Sequence, residues 1–147
     1  MDVRNGDWVM VADGRKALFL LNDGEADLPV YKTFRILEQD NPATHEQGAE
    51  RPGRAFSSSD ARRSAYEQTD WHELEETRFA STIADALYKA AHDNRFKRIF
   101  IVAPPKALGD LRKVLHTEVS QRIVAEINKD LTNMPLYEIE KALSSEG

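Results

Sequence analysis

Ile99-Phe100-Ile101-Val102-Ala103, followed at once by Pro104-Pro105, is the stretch that decides the fold. Five consecutive apolar residues without polar alternation read as a strand covered on both faces, and such strands belong to sheets with helices on either side. The prolines stop it, because neither can donate to a strand ladder. Pro105 then suits the first turn of a helix, where a missing N–H costs little, and Leu108, Leu111, Leu115 and Val119 supply that helix with an apolar stripe. Further on, Gln121 to Asn128 holds Ile123, Val124, Ala125 and Ile127, a β-branched cluster that reads as another strand, although the same residues also fit a continuation of the helix. The chain closes with a helix capped by Thr132 or Asn133, with Pro135 near its start and Leu136, Ile139 and Leu143 turned inward.

Working back from Ile99, a helix precedes the strand. Asp70 as N-cap and Glu73 at the third helical position form a capping box, and Trp71, Leu74, Phe79, Ile83, Leu87 and Ala90 follow at helical spacing. Glu75, Arg78, Asp85 and Lys89 fall on other faces, and the helix ends near Asp93-Asn94. Three strands fill the N-terminal third as a meander. They are Trp8 to Ala12, Ala17 to Leu21 and Val30 to Leu37, separated by the turn signals Asp13-Gly14 and Asn22-Asp23-Gly24. Between this meander and the helix, from Asp40 to about Asp70, periodicity is lost in a loop of roughly 30 residues, and loops that long tend to be functional or disordered. The order β-β-β-α-β-α-β-α then gives a five-stranded mixed sheet of order 3-2-1-4-5 with helices on both faces, a ribonuclease-H-like α/β domain spanning residues 1–147.

Composition narrows the chemistry. The chain has 147 residues, 41% hydrophobic and 31% charged, enough apolar material for one core and too much for disorder. It has no cysteine, which excludes disulfides, thiolate metal sites and cysteine nucleophiles together. The N-terminus reaches only four strongly apolar residues, Trp8 to Val11, and no run approaches the roughly 20 that a membrane helix needs. The expectation is a cytoplasmic protein without membrane insertion. A net charge of −5 argues against a uniformly basic nucleic-acid binder, yet Arg51, Arg54, Arg62 and Arg63 stand against Asp60 alone between residues 51 and 66.

Several phrases carry a family resemblance. Trp8-Val9-Met10-Val11-Ala12-Asp13-Gly14-Arg15, Arg51-Pro52-Gly53-Arg54-Ala55-Phe56, Phe79-Ala80, Val102-Ala103-Pro104-Pro105, Leu108-Gly109-Asp110-Leu111-Arg112 and Lys129-Asp130-Leu131-Thr132 resemble, in this order, a bacterial family named host attachment protein, or protein required for attachment to host cells. That name records a phenotype, and without an export signal the resemblance implies an indirect role in attachment. The chain is also similar to the middle domain of archaeal and eukaryotic peptide-chain release factors, whose corresponding loop carries Gly-Gly-Gln into the ribosomal peptidyl-transferase centre. Here Arg51-Pro52-Gly53-Arg54 occupies that loop, and its Gln47-Gly48 pair lacks the pattern. The resemblance therefore implies a ribosome or RNA partner without termination-type hydrolysis.

Candidate site residues follow. Arg51, Arg54, Arg62 and Arg63 supply guanidinium forks for phosphate, and Phe56 and Tyr66 supply rings on which unpaired bases stack. The competing reading is a solvated loop whose arginines neutralise Glu50, Asp60 and Glu67. Lys106 and Arg112, at and after the start of the helix that follows Pro104, form a weaker anion-binding candidate, against which Gly109 reads as a packing residue. Asp13, beyond the first strand, fits a nuclease-type metal site or a turn aspartate. A two-metal nuclease needs several converging carboxylates, and Ile99 to Ala103 supplies none. His45, His72, His92 and His116 have no metal-ligand spacing. No catalytic constellation and no cofactor motif emerges; RNA binding leads, with a ribonuclease-H-like hydrolase or nuclease and a protein-interaction module as alternatives. Oligomeric state is not legible.

Overall fold

Ile99–Ala103 forms β4, and all five of its residues are buried. The computed structural model describes residues 1–39 and 58–146, with backbone alone at 58–69. Its elements are β1 (Trp8–Ala12), β2 (Lys16–Asn22), β3 (Tyr31–Glu38), α1 (Ser58–His92), β4 (Ile99–Ala103), α2 (Pro105–Val114), α3 (Thr117–Ser120), β5 (Ile123–Asn128) and α4 (Leu136–Ser144). The sheet order is β3-β2-β1-β4-β5, as the sequence predicts. β2 runs antiparallel to β1 and β3, while β4 is parallel to both β1 and β5. Four strands, β1, β3, β4 and β5, thus end at one edge of the sheet.

Strand periodicity splits the core into two layers. Trp8, Met10 and Ala12 of β1 join Phe19, Ile99 and Ile101 under α1, α2 and α3, where Phe79, Ile83, Leu87, Leu111 and Val119 pack. Val9, Val11, Leu20, Phe100 and Val102 face the opposite way, against Ile139 and Leu143 of α4 and against Val3. Among the described residues no helix is long and apolar enough to cross a membrane.

Three boundaries differ from the sequence reading. First, α1 begins at Ser58, so Asp70 and Glu73 lie inside the helix and form no capping box at its start. The physical reason is continuity: no Gly or Pro occurs between Arg54 and His92, and Ala61, Arg62, Arg63, Ala65, Glu67 and Gln68 all favour helix. The inward row also shifts. Glu75, Phe79, Ile83 and Leu87 are buried at intervals of four, whereas Leu74, one residue out of phase, is 45% exposed. Second, α2 stops at Val114 because Leu115 turns extended (ψ 132°). Val119 is buried from the separate turn α3, whose N-cap is His116, its Nδ1 accepting from the Glu118 N–H at 3.0 Å. Third, Pro135 takes the N-cap position of α4, which leaves Thr132 and Asn133 outside that role. Residues Ile123–Asn128 are a strand and not helix.

The C-terminal end of α1 is closed by Asn94 in the left-handed region (φ 55°). The Arg95 N–H donates to the Ala90 carbonyl and the Asn94 N–H to that of Ala91, both at 2.9 Å, the paired bonds of a Schellman cap. This fixes the direction in which the chain leaves α1 for β4.

Candidate functional site

The edge where four strands end is the place where open α/β sheets bind ligands. The β1–β2 turn lies there, and its geometry comes from Asp13. Oδ1 of Asp13 accepts from the backbone N–H groups of Arg15 and Lys16 at 2.8 and 2.7 Å, and Oδ2 accepts from the Thr132 hydroxyl at 2.6 Å. Thr132 is 1% exposed. Both carboxylate oxygens are therefore occupied, which explains why an aspartate is needed at a turn: it replaces two missing ladder partners and satisfies one buried hydroxyl. Among the described residues no group of three or more His, Asp or Glu could hold a metal ion. Asp13→Ala is expected to cost about 1–3 kcal/mol of stability and Asp13→Asn much less, because the amide keeps an acceptor for the turn. Urea unfolding of the two variants checks this; equal losses would assign Asp13 a role that depends on its charge.

From this turn the geometry passes to the point at which the chain leaves β3 towards the arginine-bearing segment. The Gln39 N–H donates to the Arg15 carbonyl at 2.7 Å, and its side-chain amide donates to Glu75 at 3.2 Å. The other Glu75 oxygen accepts from Arg78 at 3.0 Å, so the buried carboxylate clamps the end of β3 onto α1. Its neighbour Glu76 lies over Gly14, where a Cβ would overlap the Glu76 carboxyl, and stands 3.7 Å from Lys106. A side chain at position 14 would have to displace that carboxyl, the flexible end of Glu76.

Lys106 and Arg112 do not converge on a common site. The Lys106 ammonium donates to Asp110 at 3.2 Å. Partial burial draws its pKa down, but the Asp110 hydrogen bond and the charges of Glu76, Asp110 and Glu73 outweigh this and hold it above the ordinary value. Arg112 Nε donates to both oxygens of Glu126, at 2.8 and 3.1 Å, and that hydrogen bond raises its pKa further. Each cation already has a carboxylate. Of the nucleic-acid candidates, Arg51, Arg54 and Phe56 lie outside the described residues, as does His45, while Arg62, Arg63 and Tyr66 belong to the first turns of α1. His72 is half-buried and His92 stands 3.7 Å from Glu118.

The sequence reading missed a second feature. A cleft of about 440 Å³ opens between β3 and the C-terminal half of α1, with Arg35 and Leu37 on one side, Asp85 and Lys89 on the other, and Asp93 and Arg95 at the Schellman cap. These residues come from two separate stretches of sequence, 35–37 and 82–95. Only the strand register, which sets Arg35 opposite Phe19 on the α1 side of the sheet, brings them together.

Comparison with known proteins adds two findings. A family model, bacterial archaeo-eukaryotic release factor family 12, matches residues 7–143. The crystal structure of an archaeal translation termination factor is similar over 97% of this chain, with a TM-score of 0.46 and 10% sequence identity; the chain spans 42% of that protein's length. No curated protein matches the sequence.

Proposed function

We propose a ribosome-directed role for this chain, which belongs to bacterial archaeo-eukaryotic release factor family 12. In this reading it is a non-catalytic domain of the translation machinery that holds ribosomal or other structured RNA through the segment from Arg51 to Tyr66. The observation that carries the proposal is the position of that segment in a release-factor-like chain, after β3 and running into the start of α1. The chain leaves β3 at Gln39, which is held by the Gln39–Glu75 bond, and positions 58–66 lie in α1. At 1.5 Å per residue, positions 62 and 63 stand about 20 Å along the helix axis from Glu76 at the sheet edge. Positions 62 and 63 precede position 66 by four and three residues, the spacing of neighbouring positions on a helix. The chain has no Gly-Gly-Gln, so binding and not peptidyl-tRNA hydrolysis is the proposed activity.

Four arginines neutralising four phosphates give a salt slope of about −3, a loss of roughly 60-fold in affinity between 50 and 200 mM salt. Co-sedimentation with ribosomes at physiological salt is expected to fall at least about tenfold when Arg51, Arg54, Arg62 and Arg63 all become alanine. An unchanged pellet in that variant, or no pellet for the unaltered chain, would sink the reading.

A protein partner is the second reading. It is favoured by apolar side chains along the edge strand and the loop before it, with Leu28, Val30 and Ile36 exposed by 73%, 47% and 52%. It would accommodate the attachment phenotype of the host attachment family as an indirect consequence. Affinity capture before and after nuclease treatment separates the two, since a protein partner stays when RNA is removed.

A further inference from the structure

We infer that the cleft between β3 and α1 binds a phosphorylated ribose, either as a free nucleotide or as one unit of an RNA strand. The inference is independent of the Arg51–Tyr66 reading. About 35 Å of helix separates position 66 from Lys89, and no residue is shared.

Charge is the first argument. Among the described residues, Arg98, Lys106, Arg112 and Lys129 each sit on a carboxylate, whereas others, Arg15, Lys97 and Lys113 among them, form no ion pair; the cleft is distinguished by gathering three cations of the second kind. Arg35, Lys89 and Arg95 line one cleft, and among the described residues none of them forms an ion pair, although Asp85 and Asp93 line the same space. Three cations against two carboxylates leave the cleft lining with a net positive charge, which a bound phosphate neutralises. Two of the three are arginines, whose planar forks match phosphate oxygens in pairs.

The carboxylates define the rest of the ligand. A purely anionic group, such as an acidic peptide side chain, would meet Asp85 and Asp93 with no donor to offer. A ribose brings hydroxyl donors, and an acidic side chain accepting from ribose hydroxyls is a recurrent arrangement in nucleotide sites. Leu37 supplies an apolar wall for the base. A volume of about 440 Å³ lies within the usual range for small-ligand sites and far exceeds what a lone phosphate needs.

The test is an amide chemical-shift titration of the ¹⁵N-labelled full chain with adenosine monophosphate, deoxyadenosine monophosphate, adenosine and a short oligouridylate. Adenosine monophosphate or the oligonucleotide is expected to move the amides of Arg35, Leu37, Lys89 and Arg95 saturably. Binding of both points to a free nucleotide, and binding of the oligonucleotide alone points to RNA. Lys89→Ala combined with Arg95→Ala should weaken binding about 100-fold, the loss of two charge-assisted contacts, and both side chains are exposed, so folding should persist. Absence of shifts at these amides with every probe overturns the assignment. So does equal binding of adenosine or of the deoxynucleotide, or unchanged affinity in a folded double variant.

Discussion

Replacing Asn22 with alanine is expected to remove about 2–4 kcal/mol of folding stability, one of the two largest losses argued for any single residue here. Asn22 is fully buried, yet every polar atom of its side chain has a partner. Its Oδ1 accepts from the Gly24 and Val30 N–H groups at 2.9 and 3.0 Å, and its Nδ2 donates to the Val3 carbonyl at 2.9 Å. The backbone joins in, as the Gly6 N–H donates to the Asn22 carbonyl and the Asn22 N–H to that of Asp7. One amide thus ties the N-terminal segment, the end of β2 and the β2–β3 loop together. Alanine leaves three backbone groups without these partners. Water can reach the amide of Val30, a half-exposed residue, more readily than the carbonyl of Val3, which is 1% exposed, so the cost stays below the sum of three lost bonds. Denaturant unfolding measures it, and a loss under about 1 kcal/mol would show that the network is replaced by solvent.

Asn22→Asp isolates the donor. The carboxylate keeps both acceptor bonds but sets a buried charge against the Val3 carbonyl. Burial raises its folded pKa above the unfolded value, so the variant should be least stable at neutral pH and recover as pH falls and the protonated acid donates again. A variant whose deficit relative to the unaltered chain is constant from pH 7 to pH 4 would contradict this.

Asn22 also shows what a sequence can and cannot disclose. Asn22-Asp23-Gly24 is legible as a turn because of its residue types; Asn22 ends β2, the chain bends at Gly24, and the reversal is closed by hydrogen bonds between Glu25 and Leu28. The glycine is required, since a Cβ at Gly24 would meet the Leu28 carbonyl at 2.5 Å and the Val30 nitrogen at 2.7 Å. What the local signal lacks is Val3, 19 residues away, whose carbonyl makes the asparagine a core residue. The sheet order was legible for a related reason: β1 and β4 are apolar throughout and buried throughout, so the pattern itself carried the fold.

Helix and site were less legible for opposite causes. Low hydrophobicity before Trp71 looks like loop, but helix formation here follows backbone propensity and freedom from Gly and Pro. The buried Glu75 has no apolar signal at all; its burial depends on Gln39 and Arg78 filling both oxygens. The Asp13–Thr132 bond spans 119 residues and the cleft joins two distant stretches, so neither has a local signature. Long-range polar contacts are set by the assembled sheet, and periodicity reports only on the apolar rows that assemble it.

The same assembled sheet makes Phe96 the other costly position, with about 3–5 kcal/mol expected for Phe96→Ala. Its ring is 2% exposed and stacks on Trp8 with centroids 4.6 Å apart at 29°. Trp8 in turn meets Phe19 edge-on at 6.3 Å and Phe34 at 4.7 Å, so one ring removed unsettles contacts reaching β2 and β3. Arg122 closes the other side, with its guanidinium carbon 5.7 Å from the ring centroid and Nη1 donating to the Phe96 carbonyl. Leucine keeps most of the volume and loses only the stack and the cation contact, so Phe96→Leu should cost about 1–2 kcal/mol. This second variant keeps the argument testable if the alanine variant fails to fold. Because Phe96 follows Arg95 at the end of α1, the leucine variant should also weaken nucleotide binding at the cleft while ribosome co-sedimentation is retained. A leucine variant as stable as the unaltered chain would mean that the Trp8 stack contributes nothing beyond apolar burial. If α1 instead stayed anchored without the ring, the cleft would bind as before, and the coupling of core to cleft through Phe96 would be refuted.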